Sequence, residues 1–295
     1  MENLANCLVC DNESFTTFLN CPDHFLTQET FTISKCDKCG FLFTNPRPAA
    51  NELPAYYHSS EYISHSNSRH GIQNILYQCV RKYTLSRKYK FIQNYKQGKH
   101  ILDIGCATGE FLNYCKNRKW ETFGIEPHEQ ARKMGISRYA LKIEDEVYLH
   151  KLPDASFDVI TMWHVLEHVP LLNERIAQLQ RLLSPQGILF IAAPNPASAD
   201  AKLYESFWAA YDVPRHLYHF TQDTIISLFS KHAFELVQKI PMKFDSYYVS
   251  MLSEKYMHVR NSFFNGLLNG FISNRSATRS GEYSSLIYAF RKTSA

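Results

Sequence analysis

No apolar run in this 295-residue chain approaches the ~18 residues a helix needs to cross a bilayer, so a membrane-spanning protein is not expected. The N-terminus, Met1-Glu2-Asn3-Leu4, lacks the basic segment and apolar stretch of a secretory leader. A cytoplasmic protein is therefore expected, and its eight cysteines point to metal or buried thiols rather than disulfides. Internal repeats and low-complexity tracts are also missing. With 45% hydrophobic and 20% charged residues, an ordinary globular protein follows, long enough for one large domain and a small one. Acids are absent from residues 62–102, where Arg69, Arg81, Lys82, Arg87, Lys88, Lys90, Lys96 and Lys99 accumulate. After Glu254 the only acid is Glu282. The net charge of +4 is uninformative; its distribution is not.

Three regions separate. Residues 1–48 are punctuated by cysteines and end at Asn45-Pro46-Arg47-Pro48, an extended exit. Residues 49–98 are rich in Tyr and Lys, and helical spacing over 72–95 predicts one or two amphipathic helices. From 99 onward short apolar runs alternate with helical stretches. Strands are expected at 100–104, 122–125, 157–163, 188–192, 236–240 and 286–290. Helices are expected at 110–118, 171–183 and 221–231, the last opened by an N-cap at Thr221. Such alternation means a parallel α/β sheet covered by helices on both faces.

The strongest motif is His100-Ile-Leu-Asp-Ile-Gly-Cys-Ala-Thr-Gly109, a buried strand running through small residues into a helix. Gly105 permits the turn, and Gly109 lets the backbone approach a ligand at the helix N-terminus. A dinucleotide site would read G-x-G-x-x-G over a pyrophosphate. Here the pattern is D-x-G-x-x-x-G, with Ala107 at the middle glycine and a carboxylate, Asp103, on the strand. That acid repels pyrophosphate and suits a ligand with an ammonium and a sulfonium. Glu126 follows Gly105 by 21 residues, at the tip of the next strand, where it can chelate a ribose diol. Residues 157–168 form a further strand ending in a polar and aromatic cluster over the carboxyl edge of the sheet. The alternatives are a ligand-free turn or another nucleotide site.

These segments resemble the class I S-adenosylmethionine-dependent methyltransferases over roughly residues 99–240, with closest likeness to the bacterial small-molecule group that includes ubiquinone-type methyltransferases. The resemblance implies a doubly wound, seven-stranded, Rossmann-like sheet. It implies that Asp103, Gly105, Cys106, Ala107 and Gly109 hold the methionine part of S-adenosylmethionine. Glu126, with Pro127 beside it, would bind the ribose. An acidic turn, in Glu144-Asp145-Glu146, would cover the adenine, and Trp163 and His164 would face the cofactor.

Cys7-Leu-Val-Cys10 and Cys36-Asp-Lys-Cys39 form two C-x2-C knuckles with 25 residues between them. Four thiolates can complete a closed, structural zinc site, and zinc would stabilise a segment too short to bury its own core. Cys21 and His24 lie between the knuckles and could ligate instead. Cys79, Cys106 and Cys115 read as plain buried thiols.

Methyl transfer is an in-line displacement in which the enzyme positions the acceptor and can remove a proton. His164, His216 and His219 are the candidate bases, and His168 reads as a structural contact. Asn195, Trp208, Tyr211 and Arg215 are the candidate acceptor contacts, although aromatic packing with an Asp212–Arg215 pair explains that loop as well. Residues 245–283 form a long insertion carrying Tyr247, Tyr248, Tyr256, Phe263 and Phe264, with a basic rim. An anionic small-molecule, sugar- or lipid-linked acceptor is expected. RNA methylation is the alternative, since some ribosomal RNA guanine methyltransferases carry a similar ribbon. An RNA-reading ribbon should be basic, however, and the first 50 residues hold six acids against three bases. A non-catalytic cofactor-binding or interaction protein is the reading outside enzymes.

Overall fold

The computed structural model describes residues 1–57, 72–95 and 98–293. Its elements are β1 (Phe15–Pro22), β2 (Thr30–Cys36), β3 (Leu42–Thr44), α1 (Ile72–Gln93), β4 (His100–Ile104), α2 (Glu110–Lys116), β5 (Glu121–Ile125), α3 (Glu129–Tyr139) and β6 (Lys142–Glu144). There follow β7 (Phe157–Trp163), α4 (Leu172–Leu182), β8 (Leu183–Pro194), α5 (Ala199–Tyr204), β9 (Tyr218–His219), α6 (Gln222–Lys231), β10 (Phe234–Pro241), α7 (Asp245–Tyr256), α8 (Ser262–Ser280) and β11 (Ser285–Lys292). The strands form a seven-stranded sheet, β10-β11-β8-β7-β4-β5-β6, and a four-stranded sheet, β1-β2-β3-β9. Side chains of α1 through residue 82, Cys79 included, lie outside the described ones, as does much of the acid-free stretch.

Contact density divides the chain into two compact units. One holds Ser60–Trp163, Ile176–Ile191 and Ala289–Ala295; the other holds Met1–Ser59, His164–Arg175 and Ala192–Tyr288. In the first, β4 is flanked in parallel by β5 and β7, and β5 by β6. Ile101, Leu102, Ile104, Val159, Ile160 and Met162 are buried, as expected for parallel strands covered on both faces. Helix α4 buries Leu172, Ile176, Leu179 and Leu182, spaced on one face. Strand β8 begins at Leu183, ahead of the expected 188, because residues 184–187 continue it along a more exposed stretch.

The second unit shows why the cysteine segment has a core. Its β3 pairs antiparallel with β9, Leu42 opposite His219 and Phe43 opposite Tyr218. Phe31, Ile33 and Leu42 pack in one cluster with Tyr204, Trp208, Tyr211, Val213 and Val249. Apolar burial therefore supplies part of the stabilisation that the sequence reading assigned to metal alone. Thr221 caps α6 as expected, in a capping box with Thr224. The 245–283 insertion is a hairpin of α7 and α8. A Cβ at Gly270 would sit 2.7 Å from Tyr247 Cα, and one at Gly266 would collide with Met251, so glycine alone allows this approach.

Arg215 joins distant parts of this unit. Its Nη2 donates to Asp23 Oδ1 and Asp212 Oδ1, each at 2.7 Å, and its Nη1 donates to Tyr56 O at 3.2 Å. Asp23 also accepts backbone N–H bonds from Phe25, Leu26 and Thr27. Burial opposes its ionisation, but Arg215 and these N–H groups hold the carboxyl below its ordinary range. With both partners essentially sealed from water, Arg215→Ala strands an uncompensated carboxylate. We expect it to cost roughly 3–5 kcal/mol in denaturant unfolding; a loss below about 1 kcal/mol would show that the pair contributes little.

Candidate functional site

Strand β4 places Asp103 opposite Gly124 on β5 and Thr161 on β7. The Thr161 hydroxyl donates to Asp103 Oδ1 at 2.5 Å. Burial pushes the Asp103 carboxyl up to about 7, against the Thr161 hydroxyl and the Lys88 ammonium. Beyond the strand the backbone turns left-handed three times, at Gly105 (φ 71°), Ala107 (φ 47°) and Gly109 (φ 76°). The N–H groups of Gly105 and Cys106 donate to Ile125 O at 2.7 and 3.1 Å. Gly109 is crowded by Leu141 and Ile143, so its missing side chain is needed for packing as well as for φ.

Glu126 links this loop to the next. Its Oε2 accepts from Ala107 N–H and its Oε1 from His128 N–H, both at 2.9 Å. Burial raises its pKa, and these two donors partly counter that. Each oxygen keeps a lone pair, so the carboxylate can still accept two hydroxyls. Pro127 follows it, and its carbonyl accepts from Arg132 at 2.7 Å. Glu144 is exposed at the end of β6, and its carbonyl accepts from Glu126 N–H at 3.0 Å. Asp145 caps the turn at Glu146–Lys151, its Oδ1 accepting from Val147 N–H. The Cys106 and Cys115 thiols are buried and pushed far up, which makes them inert.

Trp163 ends β7. Its ring meets Phe111 edge-on at 5.5 Å, and Lys88 Nζ lies 4.3 Å above it. Its Nε1 is buried with no hydrogen-bond partner among the described residues. An orphaned donor next to a carboxylate-lined glycine loop is what a bound polar ligand would satisfy. Asp103, the 105–109 backbone, Glu126 and Trp163 thus fit a ligand bearing an ammonium, a diol and an adenine. Sequence reasoning missed Thr161 and Lys88; for Thr161 the signal was its register with Asp103.

In the other unit, His164 stands in the left-handed region at φ 57°. Its ring Nε2 lies 3.0 Å from Asp245 Oδ2 and its Nδ1 lies 3.4 Å from Glu167 Oε1. Burial disfavours its cation, but the two carboxylates more than offset that and hold its pKa up to about 9. Glu167 is fully buried and held down to about 2 despite burial, mainly through His164. Asp245 and Glu167 were not singled out by sequence.

The remaining candidates are engaged inside the protein. Burial lowers the pKa of His168 to about 4 and of His219 to about 3, with His216 adding to both. His219 Nε2 lies 3.3 Å from Thr44 Oγ1, and His216 Nδ1 lies 2.8 Å from Ala210 O. Trp208 Nε1 donates to Asp200 at 2.8 Å. Tyr211 lies edge-on to Trp208 and His219. Asn195 Nδ2 donates to Glu282 at 2.7 Å and to Tyr283 O at 3.1 Å. Arg215, His216 and His219 thus lie buried within one network of hydrogen bonds and ring contacts.

Among the described residues, two groups have metal-ligand spacing. The sulfurs of Cys7, Cys10, Cys36 and Cys39 lie within 4.8 Å of one another, with Cys7–Cys39 at 3.5 Å and Cys10–Cys36 at 3.6 Å. A tetrahedron of Zn–S bonds of about 2.3 Å has edges of about 3.8 Å. Burial raises Cys36, but the backbone N–H groups of Cys39 and Lys38 more than offset it and bring its thiol to about 7. Cys21 instead donates to Ser206 O at 3.1 Å, and His24 Nε2 lies 3.0 Å from the same carbonyl, so neither joins the knuckles. Glu167, His168 and His216 form the second group.

Comparison with known proteins gives these features a family. A family model described as a methyltransferase domain matches residues 77–239. The ubiquinone biosynthesis O-methyltransferase of Glaesserella parasuis is 31% identical over 109 residues, 33% of this chain and 46% of that protein. The 27-O-demethylrifamycin SV methyltransferase of Amycolatopsis mediterranei is 31% identical over 119 residues, 36% of this chain and 44% of that protein. These matches span about half the length of the curated relatives. Phosphoethanolamine N-methyltransferase 2 of Haemonchus contortus, solved with S-adenosyl-L-methionine, is similar in fold, with TM-score 0.53 and 13% identity over 95% of this chain and 69% of that one. The chain belongs to the methyltransferase-domain family, the class I S-adenosylmethionine-dependent methyltransferases.

Proposed function

We infer that the protein transfers a methyl group from S-adenosylmethionine to a small-molecule acceptor, sugar- or lipid-linked and anionic. The observation that carries the reading is the frame around the glycine loop: buried Asp103 on one side, Glu126 bridging Ala107 and His128, and Trp163 Nε1, unpartnered among the described residues. Asp103 and the 105–109 backbone would hold the methionine part, Glu126 the ribose hydroxyls, and Glu144 or Asp145 the adenine. The cofactor supplies an electrophilic methyl on a sulfonium. The protein's own contribution is alignment, for which well-oriented reactants reach effective molarities of roughly 10⁵–10⁸ M.

For the acceptor, support comes from the small molecules named in the two curated relatives and from the aromatic, basic 245–283 hairpin. The net-acidic cysteine segment speaks against nucleic acid. Among the candidate bases, His164 is the one with an exposed portion, and we assign proton handling to it; His216 and His219 support the surrounding core. We further propose structural zinc on Cys7, Cys10, Cys36 and Cys39, with all four positions filled by protein and none left for chemistry.

Incubation with methyl-labelled cofactor and fractionated sugar and lipid-linked acceptor pools tests the activity. Label should enter an anionic, non-nucleic-acid fraction. Because a base acts in its neutral form, kcat should climb with pH and level off above about 9, the value to which Asp245 and Glu167 hold His164. His164→Gln should remove that climb. Label entering RNA, or none entering any pool, would reject the reading, and a flat profile would remove His164 as the base. For the metal, elemental analysis of chelator-free protein should find one zinc per chain, lost on replacing Cys36 by Ser. Less than half an equivalent would overturn the assignment, and a second equivalent would place metal on Glu167, His168 and His216 as well.

A further inference from the structure

Helix α8 is built the wrong way round for a helix facing water. Its buried stripe is small: Gly266, Gly270, Ser273 and Ala277. Its large apolar residues point outward, with Phe263 51%, Phe264 70%, Leu268 59%, Phe271 53% and Ile272 51% exposed. At about 100° per residue these five span an arc of roughly 180°, opposite the stripe packed on α7. Phe244 and Tyr248, by the start of α7, and Met257, at its end, are exposed too. A monomer in water rarely shows so large a contiguous apolar surface without a use for it.

Charge decides what covers it. Arg275 and Arg279 fall on the same arc as the apolar residues, in the last turns of α8. Lys255 and Arg260 are exposed around the turn between the helices, and Lys243 precedes α7. From Lys255 to Gly281 there is no carboxylate to compensate them. A second copy of the chain would bring the same uncompensated cations to the interface. An anionic lipid surface instead supplies the missing charge and an apolar layer for the rings, while arginines reach headgroups with their stems along the acyl boundary. No helix among the described residues is long and apolar enough to cross a membrane, so the mode is lying on the surface.

We propose that the α7–α8 hairpin docks the protein on an anionic lipid bilayer, with Phe263, Phe264, Leu268, Phe271 and Ile272 in the interface and Arg275, Arg279, Lys255 and Arg260 on the headgroups. This goes beyond methyl transfer and is read without cofactor or turnover, so either can fail alone. The test is co-sedimentation of the 295-residue protein, as purified, with vesicles of phosphatidylcholine alone or mixed with phosphatidylglycerol. The wild type should sediment with the mixed vesicles, and added salt should weaken this. Phe264→Ser with Leu268→Ser, and separately Arg275→Glu with Arg279→Glu, should each reduce partitioning by roughly tenfold or more. Both replace exposed side chains, and unchanged thermal unfolding confirms the fold. Wild type left in the supernatant, or both variants binding as well as wild type, overturns the proposal. A lipid-free dimer in light scattering that Phe264→Ser dissolves overturns it in favour of a second copy.

Discussion

A carboxylate that grips two backbone N–H groups holds the glycine loop to the next strand–helix turn. Glu126 takes Ala107 N–H with one oxygen and His128 N–H with the other, and so ties the loop after β4 to the start of α3. Without that grip, Ala107 would sit in a left-handed conformation with little to hold it, a strain of roughly 1–3 kcal/mol for a residue with a side chain. The loop also leans on Ile125 O, which accepts from both Gly105 and Cys106. The β4–β5 register brings these groups together, and that register rests on buried aliphatic residues of the sheet. Asp103, held by Thr161 in the same sheet, then sits as a buried carboxyl that a cationic ligand would favour in its charged form.

The other unit follows a different rule: buried polar groups are admitted in partnered sets. Arg215 satisfies Asp23 and Asp212, and Arg47 reaches Glu2, Tyr218 and Pro170 O. Asp200 accepts from Trp208, Ser273 and Ser284. These links bind residues far apart in sequence, which is how a cysteine segment at the N-terminus comes to share a sheet with β9. Glu167 departs from the rule: its buried carboxylate has no hydrogen-bond partner among the described residues, with the His164 imidazole 3.4 Å away and His168 and His216 nearby. That departure sets the Glu167 cluster apart from the rest of the unit.

Much of the sheet around the glycine loop was legible because its signals are local. A buried strand, small residues and a helix lie within ten positions, and Glu126 lies one strand further on. Strand 157–163 and the Thr221 cap came out where the hydrophobic pattern and cap chemistry put them. The knuckle spacing brought four sulfurs together for the same reason. What was not legible depends on contacts across the fold. The interior partners of Arg215, His216 and His219, among them Asp23, Thr44 and Ala210, cannot be read from their run of five residues. The pairing of β3 with β9, and of His164 with Asp245, joins segments more than 80 residues apart. In α8 the aromatic residues were visible, but only the packing of Gly266 and Gly270 on α7 shows that they point outward.

The central claim is that the loop from Asp103 to Gly109, with Glu126, holds S-adenosylmethionine rather than a dinucleotide. Calorimetric titration of S-adenosylhomocysteine and of NAD into the wild type and Glu126→Ala tests it most directly. The wild type should show one site for S-adenosylhomocysteine and no measurable NAD binding, and Glu126→Ala should lose more than tenfold, because a charge-assisted contact of roughly 1.5–3 kcal/mol disappears. Equal binding of NAD, or an affinity unchanged by the substitution, would contradict it.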